Sequence, residues 1–202
     1  MWWKRVIDKF NMELGVCEAY SGSGVSGADD GVHAVSLSRL QNLGSNGTPD
    51  YIILQIGTND CSADFGDFHF WYNKLGKTYD KTKFRDAYSF IVEKLLELYP
   101  NARIICMTPI YRYPVAWENE TGNNIYGYSM SDMVESIKYI ASKYHVPCID
   151  LSECGINYNN RNTYLGDVKY NHNQSTPGYA VHPNKAGMEL MANYIIKKLR
   201  SI

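Results

Sequence analysis

The sequence predicts an α/β chain, a three-layer α/β/α sandwich built around a parallel sheet. Residues 51–56 (YIILQI) and 102–107 (ARIICM) are short, continuous apolar runs, the pattern of strands buried on both faces. Between and after them lie longer segments with apolar residues at helical spacing. Strands that alternate with helices of this length need crossover connections, which make a parallel sheet covered on both sides.

Taken in order, residues 2–10 read as a helix with Trp3, Val6, Ile7 and Phe10 on one face. Residues 16–20 read as a short strand leading into a glycine loop, and residues 35–43 as a helix. After the 51–56 strand, residues 82–98 carry the strongest helical stripe: Phe84, Ala87, Tyr88, Ile91, Leu95 and Leu98, with Pro100 beyond the end. The 102–107 strand follows. Residues 131–144 are a helix with Met133, Ile137, Ile140, Ala141 and Tyr144 inward, and residues 146–151 (VPCIDL) a third apolar strand. Residues 184–199 are the last helix, with Met188, Met191, Ala192, Ile195 and Leu199 inward. Its basic residues Lys197, Lys198 and Arg200 suit the negative end of the helix dipole.

Three connections are too long for plain turns: 61–81, 109–130 and 152–182. Each follows a strand, so all three emerge at the carboxyl edge of the sheet, where open α/β folds place their sites. No linker, repeat or low-complexity tract interrupts the chain, so residues 1–202 are expected to form one domain.

Composition narrows the function. Apolar residues make up 45% of the chain, charged residues 20%, and the formal net charge is −1. No global field favours nucleic acid or an anionic membrane, and no apolar run is long enough for a membrane span. Cys17, Cys61, Cys106, Cys148 and Cys154 lack C-x-x-C spacing, and His33, His69, His145 and His172 lack H-x-H or H-E-x-x-H spacing. Neither a disulfide framework nor a metal site is expected. The opening residues resemble an amphipathic helix and lack the apolar core of a signal peptide. A cytoplasmic location follows if Met1 is the true start, and a secreted or periplasmic one if an upstream segment is missing.

The glycine loop, YSGSGVSGA at residues 20–28, contains Gly22-x-Gly24-x-x-Gly27, the spacing of a dinucleotide fingerprint. It runs into Ala28-Asp29-Asp30-Gly31, which puts two carboxylates where phosphate charge would go. The fingerprint alone is therefore a weak sign, and glycines that permit a tight turn explain it as well. Two further motifs give the loop another use. Ile56-Gly57-Thr58-Asn59-Asp60 ends a buried strand, and Val181-His182-Pro183-Asn184 opens the last helix. Together they offer a backbone N–H, an amide N–H and an imidazole at one edge, the parts needed for acyl transfer. Asp60 is expected to hold its own loop through local hydrogen bonds.

These blocks resemble those of the SGNH hydrolases, also called GDSL esterases and lipases. Ser21-Gly22 through Gly27 resembles the family's glycine block, Gly57-Thr58-Asn59-Asp60 its G-x-N-D block, and His182-Pro183-Asn184 its H-P-N block. Residues 107–110 (MTPI) and 148–151 (CIDL) are similar to its later strands. The resemblance implies a flavodoxin-like parallel sheet, Gly22 and Asn59 as oxyanion donors, His182 as general base, and no cofactor. The implied substrate is a small acyl ester. Tyr111, Tyr113 and Trp117 in one long loop, and Tyr158, Tyr164, Tyr170 and Tyr179 in another, suit a sugar or an aryl ester; they equally suit loop packing. A short acyl ester, such as an acetyl group on a carbohydrate, is expected over a long-chain lipid.

Two departures matter. The family's nucleophile stands in a Gly-Asp-Ser block on an opening strand, and this chain has no such block. The family's acid stands three residues before the histidine, where this chain has Tyr179; Asp167 is a substitute by nearness in sequence alone. Ser26 sits one residue short of a G-x-S-x-G elbow, and neither it, Ser21 nor Ser23 both ends a strand and enters a helix as an elbow requires. The expectation is an N-terminally shortened esterase, inactive for lack of a nucleophile, or a carbohydrate-binding relic of the same fold. Loss of the opening strand predicts one of three outcomes: direct pairing of 16–20 with 51–56, a strand exchanged with another copy in a homo-oligomer, or a displaced first segment.

Overall fold

The computed structural model describes residues 1–69, 78–110, 123–166 and 182–202. Three strands, β1 (Tyr51–Gln55), β2 (Arg103–Met107) and β3 (Cys148–Ile149), form a parallel sheet in that order. Tyr51 aligns with Arg103 and Gln55 with Met107; Cys106 aligns with Cys148. Helices α3 (Phe84–Leu98) and α4 (Met130–Lys143) make the crossovers. Outside the sheet stand α1 (Trp2–Phe10), α2 (Leu37–Asn42), the short α5 (Arg161–Tyr164) and α6 (Lys185–Leu199).

Side chains alternate across β2 and so feed two cores. Ile104 and Cys106 join α3, α4 and Leu40 of α2 on one face. Ile105 and Met107 join Val6 of α1 and Met191 and Ile195 of α6 on the other. The α3 stripe is as the periodicity predicts, and fully buried residues such as Ile91 and Leu95 contribute about 1.5–3 kcal/mol each. Helix α4 starts at a capping box in which Ser129 and Asp132 satisfy each other's backbone N–H. Helix α6 runs against the strands. Leu199 and Ile202 at its C-terminal end line a cavity with Tyr51 and Arg103, the first residues of β1 and β2. Its N-terminus therefore lies at the carboxyl edge.

Two expectations change. Helix α1 docks through Trp2, Val6 and Phe10, spaced by four, rather than through Trp3 and Ile7; both stripes share Val6 and Phe10, and docking against α6 selects the first. Residues 16–20 form no strand. Met12 shares the cavity at the amino end of β1, and Tyr20 leads into the glycine loop, so the segment runs alongside β1 without bonding to it. It is held by side chains instead: Asn46 Nδ2 donates to Gly15 O at 2.8 Å, and Arg39 and Asn42 grip Glu18. Direct pairing of 16–20 with β1 is thus absent among the described residues.

The consequence falls on β1. Among the described residues no strand pairs with its second edge. Ile53 and Leu54 are only half-buried and Tyr51 is 48% exposed, although the run reads as an interior strand. Arg103 N donates to Asp50 O. Alternation along the parallel ladder then turns the amides of Ile52 and Leu54 toward β2 and those of Ile53 and Gln55 toward the open edge. Amide hydrogen exchange read by NMR should find Ile53 faster than Ile52 and Leu54 by about a hundredfold or more; equal protection would mean that the edge is covered.

Candidate active site

Residue 57 must be glycine. Its φ is +125°, and a Cβ there would stand 3.2 Å from Sδ of Met133. The turn of 3-10 helix that follows, Thr58–Asp60, sends two neighbouring side chains opposite ways. Asn59 is exposed on the carboxyl edge, and its Nδ2 donates to Ser23 O at 2.9 Å. The second N–H of that amide donates to no described residue.

Asp60 points inward and is 3% exposed. Its carboxylate accepts Val25 N at 2.7 Å, Ser26 N at 2.8 Å and Ser26 Oγ at 2.7 Å. The expected local bonds are replaced by bonds to a loop far upstream in sequence. Burial pushes the carboxyl up from the ordinary range, and the N–H groups of Val25 and Ser26 pull it part of the way back. Gly24 permits this approach, since a Cβ there would lie 3.1 Å from Oδ1 of Asp60. The two N–H groups that a phosphate would need are therefore occupied by a carboxylate, which removes the dinucleotide reading.

From the other side the loop is held by Arg39, itself 6% exposed. Nη1 donates to Ser23 Oγ and to Val32 O, each at 2.6 Å, and the guanidinium lies 4.2 Å from the Tyr20 ring. With both clamps in place Gly22 takes φ +76°, and its N–H has no acceptor among the described residues. Gly22 and Asn59 are thus brought together through Ser23. The hydroxyls of Ser23 and Ser26 are committed to Val32 O and Asp60, and Ser21 is exposed.

His182 is fixed by its neighbours. Gly166 N donates to its carbonyl at 3.0 Å, and Asn184 caps α6 by accepting Gly187 N at 3.0 Å while donating to Thr163 O at 2.8 Å. Gly187 is required, because a Cβ there would meet Tyr164 O at 2.3 Å. The imidazole is exposed on the carboxyl edge, on the α6 face, and bonds to no described residue. Tyr111, Tyr113, Trp117, Asp167, Tyr170, His172 and Tyr179 lie outside the described residues. Among the described residues no cluster of three or more His, Cys, Asp or Glu side chains could hold a metal, and no helix is long and apolar enough to cross a membrane.

The sequence reading passed over a second anchor. Buried Asn124 donates to Cys61 O at 3.0 Å and Ala63 O at 2.9 Å, and its Oδ1 accepts Tyr126 N and Tyr128 N. This ties a tight turn to the segment that follows Asn59 and presents Ile125, 84% exposed, and Tyr126 to solvent. The Asn-x-x-Gly pattern at residues 124–127 was the available sign. Asp60 is the stronger dependency. Asp60→Ala strands two backbone donors and should cost about 3 kcal/mol, seen as a fall in Tm of about 10 °C in a thermal melt.

The GDSL-like lipase/acylhydrolase family model matches residues 3–190. No curated protein matches the chain. Among solved structures, a Lactobacillus plantarum protein is similar with TM-score 0.77 at 21% identity, over 99% of this chain and 87% of that one. A Bacteroides ovatus protein assigned to the GDSL-like lipases has TM-score 0.64 at 21% identity, over 100% of this chain and 79% of its own. A peptidoglycan O-acetylesterase has TM-score 0.52 at 14% identity, over 84% of this chain and 41% of its own. At these identities the structural likenesses speak for the fold, an α/β/α sandwich, and the family match covers nearly the whole sequence: the chain belongs to the GDSL-like lipase/acylhydrolase family of ester hydrolases.

Proposed function

We infer that the site is an acyl-ester hydrolase site that holds its oxyanion donors and base and lacks its nucleophile. The observation that carries this is the Asn59 Nδ2 bond to Ser23 O, which draws toward the Gly22–Ser23 peptide an amide whose second N–H, like the N–H of Gly22, has no acceptor among the described residues. Two such donors stabilise the negative charge that develops on a tetrahedral carbon. His182, on the same edge, is the base that would take a serine proton and return it to the leaving alcohol. The open edge of β1 leaves room for a strand ending in Gly-Asp-Ser, and no serine of the glycine loop replaces it. Without a nucleophile the expected loss is on the order of a thousandfold or more.

The substrate reading is a short acyl ester, an acetyl group on a carbohydrate. Exposed Tyr126 and Tyr158 offer aromatic faces with polar tips, and one protein of similar fold is a peptidoglycan O-acetylesterase. The absent serine equally favours a second reading, a non-catalytic carbohydrate-binding protein that keeps the cleft. Extension ahead of Met1 by a strand ending in Gly-Asp-Ser separates the two. The extended protein should hydrolyse p-nitrophenyl acetate about a thousandfold faster than the 202-residue chain, and His182→Ala should remove the gain. An extended protein that stays inert and binds acetylated oligosaccharides would favour the binding reading.

A further inference from the structure

Asp30 and His33 form a carboxylate–imidazole pair beside the glycine loop, at the D-x-x-H spacing that His182 lacks. Nδ1 of His33 lies 2.9 Å from Oδ2 of Asp30, and the backbone N–H groups of Val32 and His33 both donate to Oδ1. Those N–H groups hold Asp30 down to about 2, so it is a carboxylate at neutral pH. A carboxylate only accepts, so Nδ1 carries the proton, and in the neutral ring the lone pair is on Nε2. The ring is also pinned by shape. It lies against Gly27 at φ +147°, where a Cβ would stand 2.4 Å from Cδ2. Tautomer and ring plane are thus both fixed, in a side chain that is 34% exposed and whose Nε2 has no partner among the described residues. Neighbouring Ala34 and Val35 pack into the α3–α4 core, whereas Leu165, beside the His182 segment, packs into the α1–α6 core. The two imidazoles therefore belong to opposite faces of the sheet.

We propose that Asp30–His33 is a second, serine-independent centre that hydrolyses small activated acyl esters with His33 as the nucleophile. It stands apart from the Gly22–Asn59–His182 reading. The Nε2 lone pair forms a bond to the ester carbonyl carbon, and the carbon–oxygen bond breaks with its electron pair leaving on the phenolate. The acyl-imidazolium that results is balanced by Asp30. Water then adds to the acyl carbon, the carbon–nitrogen bond returns its pair to Nε2, and the carboxylate leaves with two protons released to solvent. Activated aryl esters are the fitting class, because no described residue bonds at Nε2 to protonate a poor leaving group.

The test is hydrolysis of p-nitrophenyl acetate by the 202-residue chain, with rapid quenching and mass spectrometry to place the acetyl group. His33→Gln keeps a donor for Asp30 and removes the nucleophile; it should lower the protein-dependent rate at least about fivefold. Asp30→Asn, folded by circular dichroism, should lower it about threefold by loosening tautomer and charge balance. His145→Asn serves as the control and should change nothing. The acetyl group should be found on His33. The proposal is overturned if His33→Gln or Asp30→Asn keeps more than half of the rate, or if the acetyl group is recovered on another residue. None of these outcomes bears on the extended, serine-bearing protein, so the two readings fail separately.

Discussion

A carboxylate removed from water has to be answered by donors, and Asp60 is answered by the glycine loop. That single requirement orders the upper edge of the molecule. It draws residues 25 and 26 down onto the turn after β1, demands the missing side chain at Gly24, and leaves the peptide at Gly22 facing outward. Because Asn59 is the residue before Asp60, seating the acid inside sets the amide outside. One side chain makes the structure and its neighbour makes the site, and a short 3-10 turn divides the labour between them.

The loop would still slide if it were held from below alone. Arg39 supplies the second restraint by gripping Ser23 and the carbonyls of Glu18 and Val32. It also does the work that a sheet would otherwise do for residues 16–20, satisfying backbone that has no ladder. A buried guanidinium with several donors in a fixed fork suits this better than a lysine would. The arrangement is preorganised: bonds within the chain hold the Gly22 peptide and the Asn59 amide in place, the condition under which the proposed oxyanion donors would act.

The fold was legible where local pattern and tertiary environment agree. The stripes of α3, α4 and α6 and the alternation along β2 are set by burial on one face or both, and sequence period reports burial. Residues 16–20 misled because a strand is a relation between neighbours, and no described strand pairs with them. The face of α1 was ambiguous because two stripes share Val6 and Phe10, and only docking on α6 decides between them. In the candidate site, Gly22, Asn59 and His182 each stand in a short motif that the sequence itself displays. The partners of Asp60 were not, since they lie far away along the chain and spacing carries no sign of them. The turn at Asn124 had a local sign in its Asn-x-x-Gly pattern, but its two acceptors had none, since another segment contributes them.

The unpaired side of β1 also bears on how the protein behaves in bulk. Natural sheets guard such borders with lysine, proline or a bulge, and Tyr51-Ile52-Ile53-Leu54-Gln55 has none of these. A row of unsatisfied amides and carbonyls beside isoleucine and leucine is a template for cross-chain β-stacking. A border of this kind sets a limit on solubility through surface pairing, independently of how tightly the two cores are packed.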